Sequence, residues 1–149
     1  MYFFWLAAVI FALDRVTKII FTKKLFPDES LIVIDKIFSL TLVRNTGTAF
    51  GLLSGANKIF IWISILAITA IIFFLFRLKE KDYFVKLALS LIMGGAAGNL
   101  FDRLAFGYVI DFLDFHIWPV FNLADSAITI GCFLLIFRML IPFSKKRSS

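Results

Sequence analysis

The chain has 149 residues, 61% of them hydrophobic and 17% aromatic, with 20 Phe and a mean hydropathy of +0.95. A soluble domain is about half apolar, so this composition belongs in lipid. The net charge of +6 gathers at the ends of apolar runs, with no stripe of interleaved aromatics, which fits anionic lipid headgroups and argues against a nucleic-acid partner.

The first apolar run, about residues 2–22, is expected to be a retained transmembrane helix, because it carries charges and lacks both a basic n-region and an A-x-A cleavage site. Asp14 and Lys18 lie four apart on one face, the acid N-terminal to the base. Either charge alone would cost roughly 2.5–3.5 kcal/mol at the centre of a span, so a polar interior must receive them. Structural ion pairing and support of a site both explain the pair. The loop at 23–58 holds two β-branched apolar runs, Leu31 to Ile34 and Phe38 to Val43, before turn residues from Asn45 to Gly51. A small extracytoplasmic sheet within residues 31–53, lying on the membrane, is expected.

Three more runs, 59–76, 84–101 and 122–141, approach the ~20 residues a bilayer demands, and lipid tolerates them only as helices. The fold class is therefore an all-α membrane protein, one domain over 1–149, with four transmembrane helices and a small extracytoplasmic β-sheet in the first loop. Arg77, Lys79, Lys81 and Lys86, with Lys145, Lys146 and Arg147 in the tail, put the second loop and both termini in the cytoplasm. The lone Cys132 excludes a disulfide framework and reads as a buried core thiol.

Polar residues inside these runs carry the functional signal. Gly94, Gly95 and Gly98 permit close helix approach, and Asn99, Asp102 and Arg103 share the next face. Asp111 stands among apolar residues from Gly107 to Phe112, where burial should raise its pKa. Asn122, Asp125 and Ser126 share the first face of the last helix, with Asn122 suited to cap it. Two carboxylates at one membrane surface suggest a pair that shares a proton, activates water and protonates a leaving amine. Other routes are poorly supplied: one His excludes an H-E-x-x-H zinc site, and no Ser occupies a G-x-S-x-G elbow.

Five segments in order resemble the lipoprotein signal peptidase (signal peptidase II) family. They are Asp14-Arg15-Val16-Thr17-Lys18; Arg44-Asn45-Thr46-Gly47-Thr48-Ala49-Phe50-Gly51; Gly94 to Arg103, ending Gly98-Asn99-Leu100-Phe101-Asp102-Arg103; Val109-Ile110-Asp111-Phe112; and Phe121-Asn122-Leu123-Ala124-Asp125-Ser126-Ala127. The resemblance implies an aspartic endopeptidase of the bacterial inner membrane, with Asp111 and Asp125 as the catalytic pair. Asp14, Lys18, Asn45, Gly47, Asn99, Asp102, Arg103 and Asn122 would line or brace the site. It also implies cleavage of prolipoproteins on the outer side of the membrane, immediately before a diacylglyceryl-modified cysteine, with no metal or nucleotide cofactor, and inhibition by globomycin-like cyclic peptides. The stretch 112–124 is short for the family. Asp102 competes with Asp111 as first acid, and Asp111 is favoured because Arg103 beside Asp102 should hold that acid ionised. Beyond the membrane lipid and the substrate, no partner is indicated and a monomer is expected. A proton- or ion-coupled transporter and a structural membrane subunit are the readings from other classes.

Overall fold

The computed structural model describes residues 2–26, 29–47, 56–78 and 83–140. The elements run α1 (Tyr2–Lys24), β1 (Ser30–Ile34), β2 (Phe38–Asn45), α2 (Asn57–Arg77), α3 (Tyr83–Phe106), β3 (Val109–Asp114) and α4 (Leu123–Leu140). Helices α2, α3 and α4 are long and apolar enough to cross a membrane. With 23 residues α1 has comparable length, but Asp14, Arg15 and Lys18 interrupt its apolar run.

Helix α3 packs against each of the other three, and small residues permit this. A methyl at Gly98 would stand 2.5 Å from the Asp14 carboxylate, and one at Gly94 would stand 2.6 Å from the Ala7 carbonyl oxygen, so both glycines let α1 lie directly on α3. Helix α4 turns Ala124, Ala127 and Gly131 inward. Cys132, the next residue round, is exposed, which corrects its reading as a buried thiol: the apolar run continues round the whole helix, but its fully buried face is the small-residue stripe. The outer faces carry large apolar side chains, among them Trp62, Leu66 and Phe76 on α2 and Phe133 and Phe137 on α4. Such surfaces suit a hydrocarbon solvent.

The sheet is antiparallel in the order β1-β2-β3. Its first two strands fall where the apolar runs of the first loop put them, whereas the third comes from the segment after α3. The expected sheet region 31–53 is thus corrected to two stretches of chain, and its residues 48–53 lie outside those described, as do Lys79, Lys81, residue 141 and the basic tail. Gly107, at φ +83°, ends α3 in a left-handed turn that suits glycine. Val109-Ile110-Asp111-Phe112 then extends along β2, with Arg44 opposite Ile110 and Val43 opposite Asp111. Antiparallel pairing satisfies its backbone, and all four residues are buried. After β3 the chain doubles back, Leu113 and Phe121 exchanging backbone hydrogen bonds at 2.8 and 3.0 Å, and enters α4.

Strand alternation gives the sheet two roles. Leu42 and Ile110 pack with Leu25 against Phe21 and Tyr108, while Phe112 stacks on Phe21 at 4.4 Å between ring centroids. The opposite parity carries Asn45 and Asp111 away from this cluster, toward the ends of α3 and α4.

Candidate active site

Asp111 and Asp125 line one cavity of about 270 Å³, together with Asn45, Gly47, Asn99, Arg103 and residues 118–121. Asp111 is 1% exposed; Asp125 is half-buried. Each carboxylate oxygen has its own donor. For Asp111, Asn122 donates to Oδ1 at 2.7 Å and Asn45 to Oδ2 at 2.9 Å. For Asp125, Asn99 donates to Oδ1 at 2.7 Å and the Asn122 backbone N–H to Oδ2 at 3.2 Å. Burial, and after it the neighbouring Asp125 carboxylate, push the Asp111 carboxyl up to about 7, against the pull of the Asn45 and Asn122 hydrogen bonds.

The orientation of the three amides follows from groups that can only donate. Lys18 Nζ has no acceptor, so its 3.0 Å contact is to Asn99 Oδ1, and Asn99 Nδ2 must turn to Asp125. The Asp125 backbone N–H donates to Asn122 Oδ1 at 2.9 Å, so Asn122 Nδ2 faces Asp111, Asn99 Oδ1 and the Ile110 carbonyl. The Gly47 N–H donates to Asn45 Oδ1 at 3.0 Å, leaving Asn45 Nδ2 for Asp111. Asn122 and Asp125 also cap α4 reciprocally, each side chain accepting the other's backbone N–H. The expected helix cap and the expected site residue are therefore one arrangement. Ser126 plays no part in it, since its hydroxyl bonds back to the Asn122 carbonyl at 3.0 Å.

Behind the cavity lies a buried ion cluster. Lys18 Nζ lies 2.9 Å from Asp14 and 2.8 Å from Asp102, with all three side chains fully buried. Asp14 also accepts the Ala124 N–H at 3.1 Å, and Asp102 accepts the Ile110 N–H at 3.1 Å, so the cluster holds α4 and β3 where their carboxylates meet. Arg15, which the sequence reading did not select, pairs with the other Asp102 oxygen and lies 4.5 Å from the Phe101 ring centroid. Its signal was there to find: a second cation inside an apolar helix, adjacent to Asp14.

Asp102 is held by cations other than the expected Arg103. Among the described residues Arg103 forms no ion pair with Asp102; Arg15 and Lys18 do. Adjacent side chains point about 100° apart on a helix, so Arg103 turns instead to the cavity wall and lies 5.1 Å from the Phe60 ring centroid. Asp102 nevertheless lies outside the cavity with its oxygens engaged by cations. Trp118, Pro119 and Val120 form part of the wall and were also missed; the Trp-Pro pair ahead of a capped helix was the available signal.

A buried and a half-buried carboxylate, each held by two donors, thus meet beside a small cavity at the end of a helical bundle whose helices are apolar enough to cross a membrane. The chain belongs to the signal peptidase II family: residues 6–141 match Signal peptidase (SPase) II. It is 46% identical to the lipoprotein signal peptidase of Moorella thermoacetica, with 94% of this chain and 93% of the relative covered. It is 39% identical to that of Pseudomonas aeruginosa, with 97% and 89% covered. A solved bacterial membrane enzyme at 35% identity superposes with a TM-score of 0.90, covering 99% of this chain and 93% of the other.

Proposed function

We propose that the protein is an aspartic endopeptidase that removes the signal peptide from bacterial prolipoproteins immediately before a diacylglyceryl-modified cysteine, with Asp111 and Asp125 as its catalytic pair. The observation that carries this reading is the convergence of two amide-braced carboxylates on one cavity in a chain of this family. With Asp111 raised to about 7, the two carboxyls share one proton near neutral pH, and the reaction starts from the state in which Asp111 carries it. Asp125 takes a proton from water as its oxygen attacks the scissile carbonyl carbon, while Asp111 gives its proton to the carbonyl oxygen. Collapse of the tetrahedral intermediate breaks the C–N bond: the amine leaves with the proton Asp125 gained, and a hydroxyl of the intermediate returns its proton to Asp111 as the carbonyl re-forms. Two carboxylates suffice for each of these transfers.

Asn45, Asn99 and Asn122 keep the carboxylates fixed while their charges change, and Arg103 offers a positive group at the wall for substrate carbonyls. The burial pattern of α1 supports a fourth membrane crossing. Its Asp14 and Lys18 face the bundle, whereas Val9, Leu13, Val16 and Ile20 are exposed, and 23 residues span ~34 Å. Four crossings put both termini on one side. Arg77 at the end of α2 and Lys86 in the first turn of α3 support the cytoplasm as that side, which would leave the sheet and cavity near the outer face.

Incubating the purified protein with a diacylglyceryl-modified prolipoprotein and with its unlipidated form tests the reading. Cleavage confined to the lipidated substrate is expected. Cleavage of neither would remove the peptidase assignment, and equal cleavage of both would remove the dependence on lipid.

A further inference from the structure

A second cavity, of about 360 Å³, opens on the other side of the β2–β3 pair, between those strands and the C-terminal end of α1. Its charged lining is basic: Arg15, Lys18, Lys23, Lys24 and Arg44 reach it, and among the described residues no carboxylate does. Arg15 and Lys18 are committed to Asp102 and Asp14. Lys23, Lys24 and Arg44 are exposed and, among the described residues, have no carboxylate partner. Arg44 is held over the Tyr108 ring at 5.3 Å, its planar donor fork presented at the cavity.

Two lysines at a helix C-terminus complement its dipole, which accounts for Lys23 and Lys24 but not for Arg44 arriving from β2. The apolar lining narrows the ligand further. Ile19, Phe26 and Phe106 are 47%, 77% and 47% exposed and line the same cavity. They adjoin the α1 face bearing Val16 and Ile20. A small hydrated anion gains nothing from such walls, whereas a phosphate joined to acyl chains would fill both parts.

We propose that this cavity binds the phosphodiester headgroup of an anionic glycerophospholipid, with Lys23, Lys24 and Arg44 around the phosphate and Ile19, Phe26 and Phe106 against the glycerol and upper acyl chains. The cavity shares strands with the carboxylate site but takes mainly the opposite side-chain parity, that of Leu42, Arg44 and Ile110, so the bound lipid presses on the far side of the pair of strands that carries Asn45 and Asp111. The site stands apart from the proposed chemistry and is retained in variants of Asp111 or Asp125.

Native mass spectrometry of the full chain in neutral detergent, titrated with phosphatidylglycerol, phosphatidylcholine or glycerol 3-phosphate, tests it. Phosphatidylglycerol should bind in preference to phosphatidylcholine, and glycerol 3-phosphate should not displace it. The variant K23Q/K24Q/R44Q should lose roughly fivefold in affinity per cation, about 100-fold in all. The control K36Q/K58Q/R77Q removes the same charge from exposed sites elsewhere and should stay within a few-fold of wild type. Equal losses in the two variants would reduce the effect to net charge and overturn the site. So would undiminished phosphatidylglycerol binding by the first variant, equal retention of phosphatidylcholine, or binding of glycerol 3-phosphate in place of the lipid.

Discussion

Lys18 Nζ lies 3.0 Å from Asn99 Oδ1, and this contact joins the buried ion cluster to the proposed catalytic pair. The ammonium cannot accept a hydrogen bond, so it dictates that Asn99 presents its NH₂ to Asp125, 2.7 Å away. A cation that touches neither Asp111 nor Asp125 thus sets the donor that one of them receives.

Lys18→Met should be among the most damaging single changes. It leaves Asp14 and Asp102 as buried carboxylates with one cation fewer, a change that costs about 3–5 kcal/mol when a buried ion pair loses a partner. Unfolding in detergent, followed by circular dichroism, measures the loss.

Asn122 has separable duties. Asn122→Ala removes the α4 cap, worth about 1 kcal/mol, and the donors to Asp111 Oδ1 and Asn99. Asn122→Ser restores a capping oxygen without the amide. Ser should therefore recover most of the stability that Ala loses while kcat stays about 100-fold or more below wild type, within the range for lost acid–base positioning. Parallel unfolding and cleavage measurements separate the two.

Gly98→Ala should displace α1 from α3, because the added methyl meets the Asp14 carboxylate at 2.5 Å. Overpacking of this kind costs about 1–3 kcal/mol. The Asp14 bond to the Ala124 N–H should weaken with it, so the thermal midpoint and the cleavage rate fall together.

Asp111 makes stability depend on pH in a stated direction. Its folded value is raised from 3.8 to about 7, so within that window the native protein holds a proton that the unfolded chain has released. Stability therefore falls as pH rises from about 4 to about 7, at up to about 1.4 kcal/mol per unit, and levels off above. Asp111→Asn should flatten this slope. The cleavage rate should fall on the alkaline side of the same value, where the pair loses its shared proton.

The helices were legible because apolar runs near bilayer length admit one backbone solution. Asp14 with Lys18, and Asn122 with Asp125, were legible because helical spacing of three or four places side chains together. The third strand was not. Val109 to Phe112 becomes a strand because β2, more than sixty residues earlier, offers it an edge, and local pattern carries no information about that pairing. Arg103 was assigned to its sequence neighbour Asp102, whereas the Asp102 partners come from another helix. Such long-range pairing is what packing α1 on α3 decides.

The most direct test of the account is cleavage of a diacylglyceryl-modified prolipoprotein by wild type, Asp111→Asn and Asp125→Asn, each purified in detergent and shown to be folded, read as a gel shift. Both variants should lose cleavage by at least about 1,000-fold, since each removes one of the two proton-transfer groups. Either variant cutting at the wild-type rate would contradict the pair, and the search for the first acid would return to Asp102.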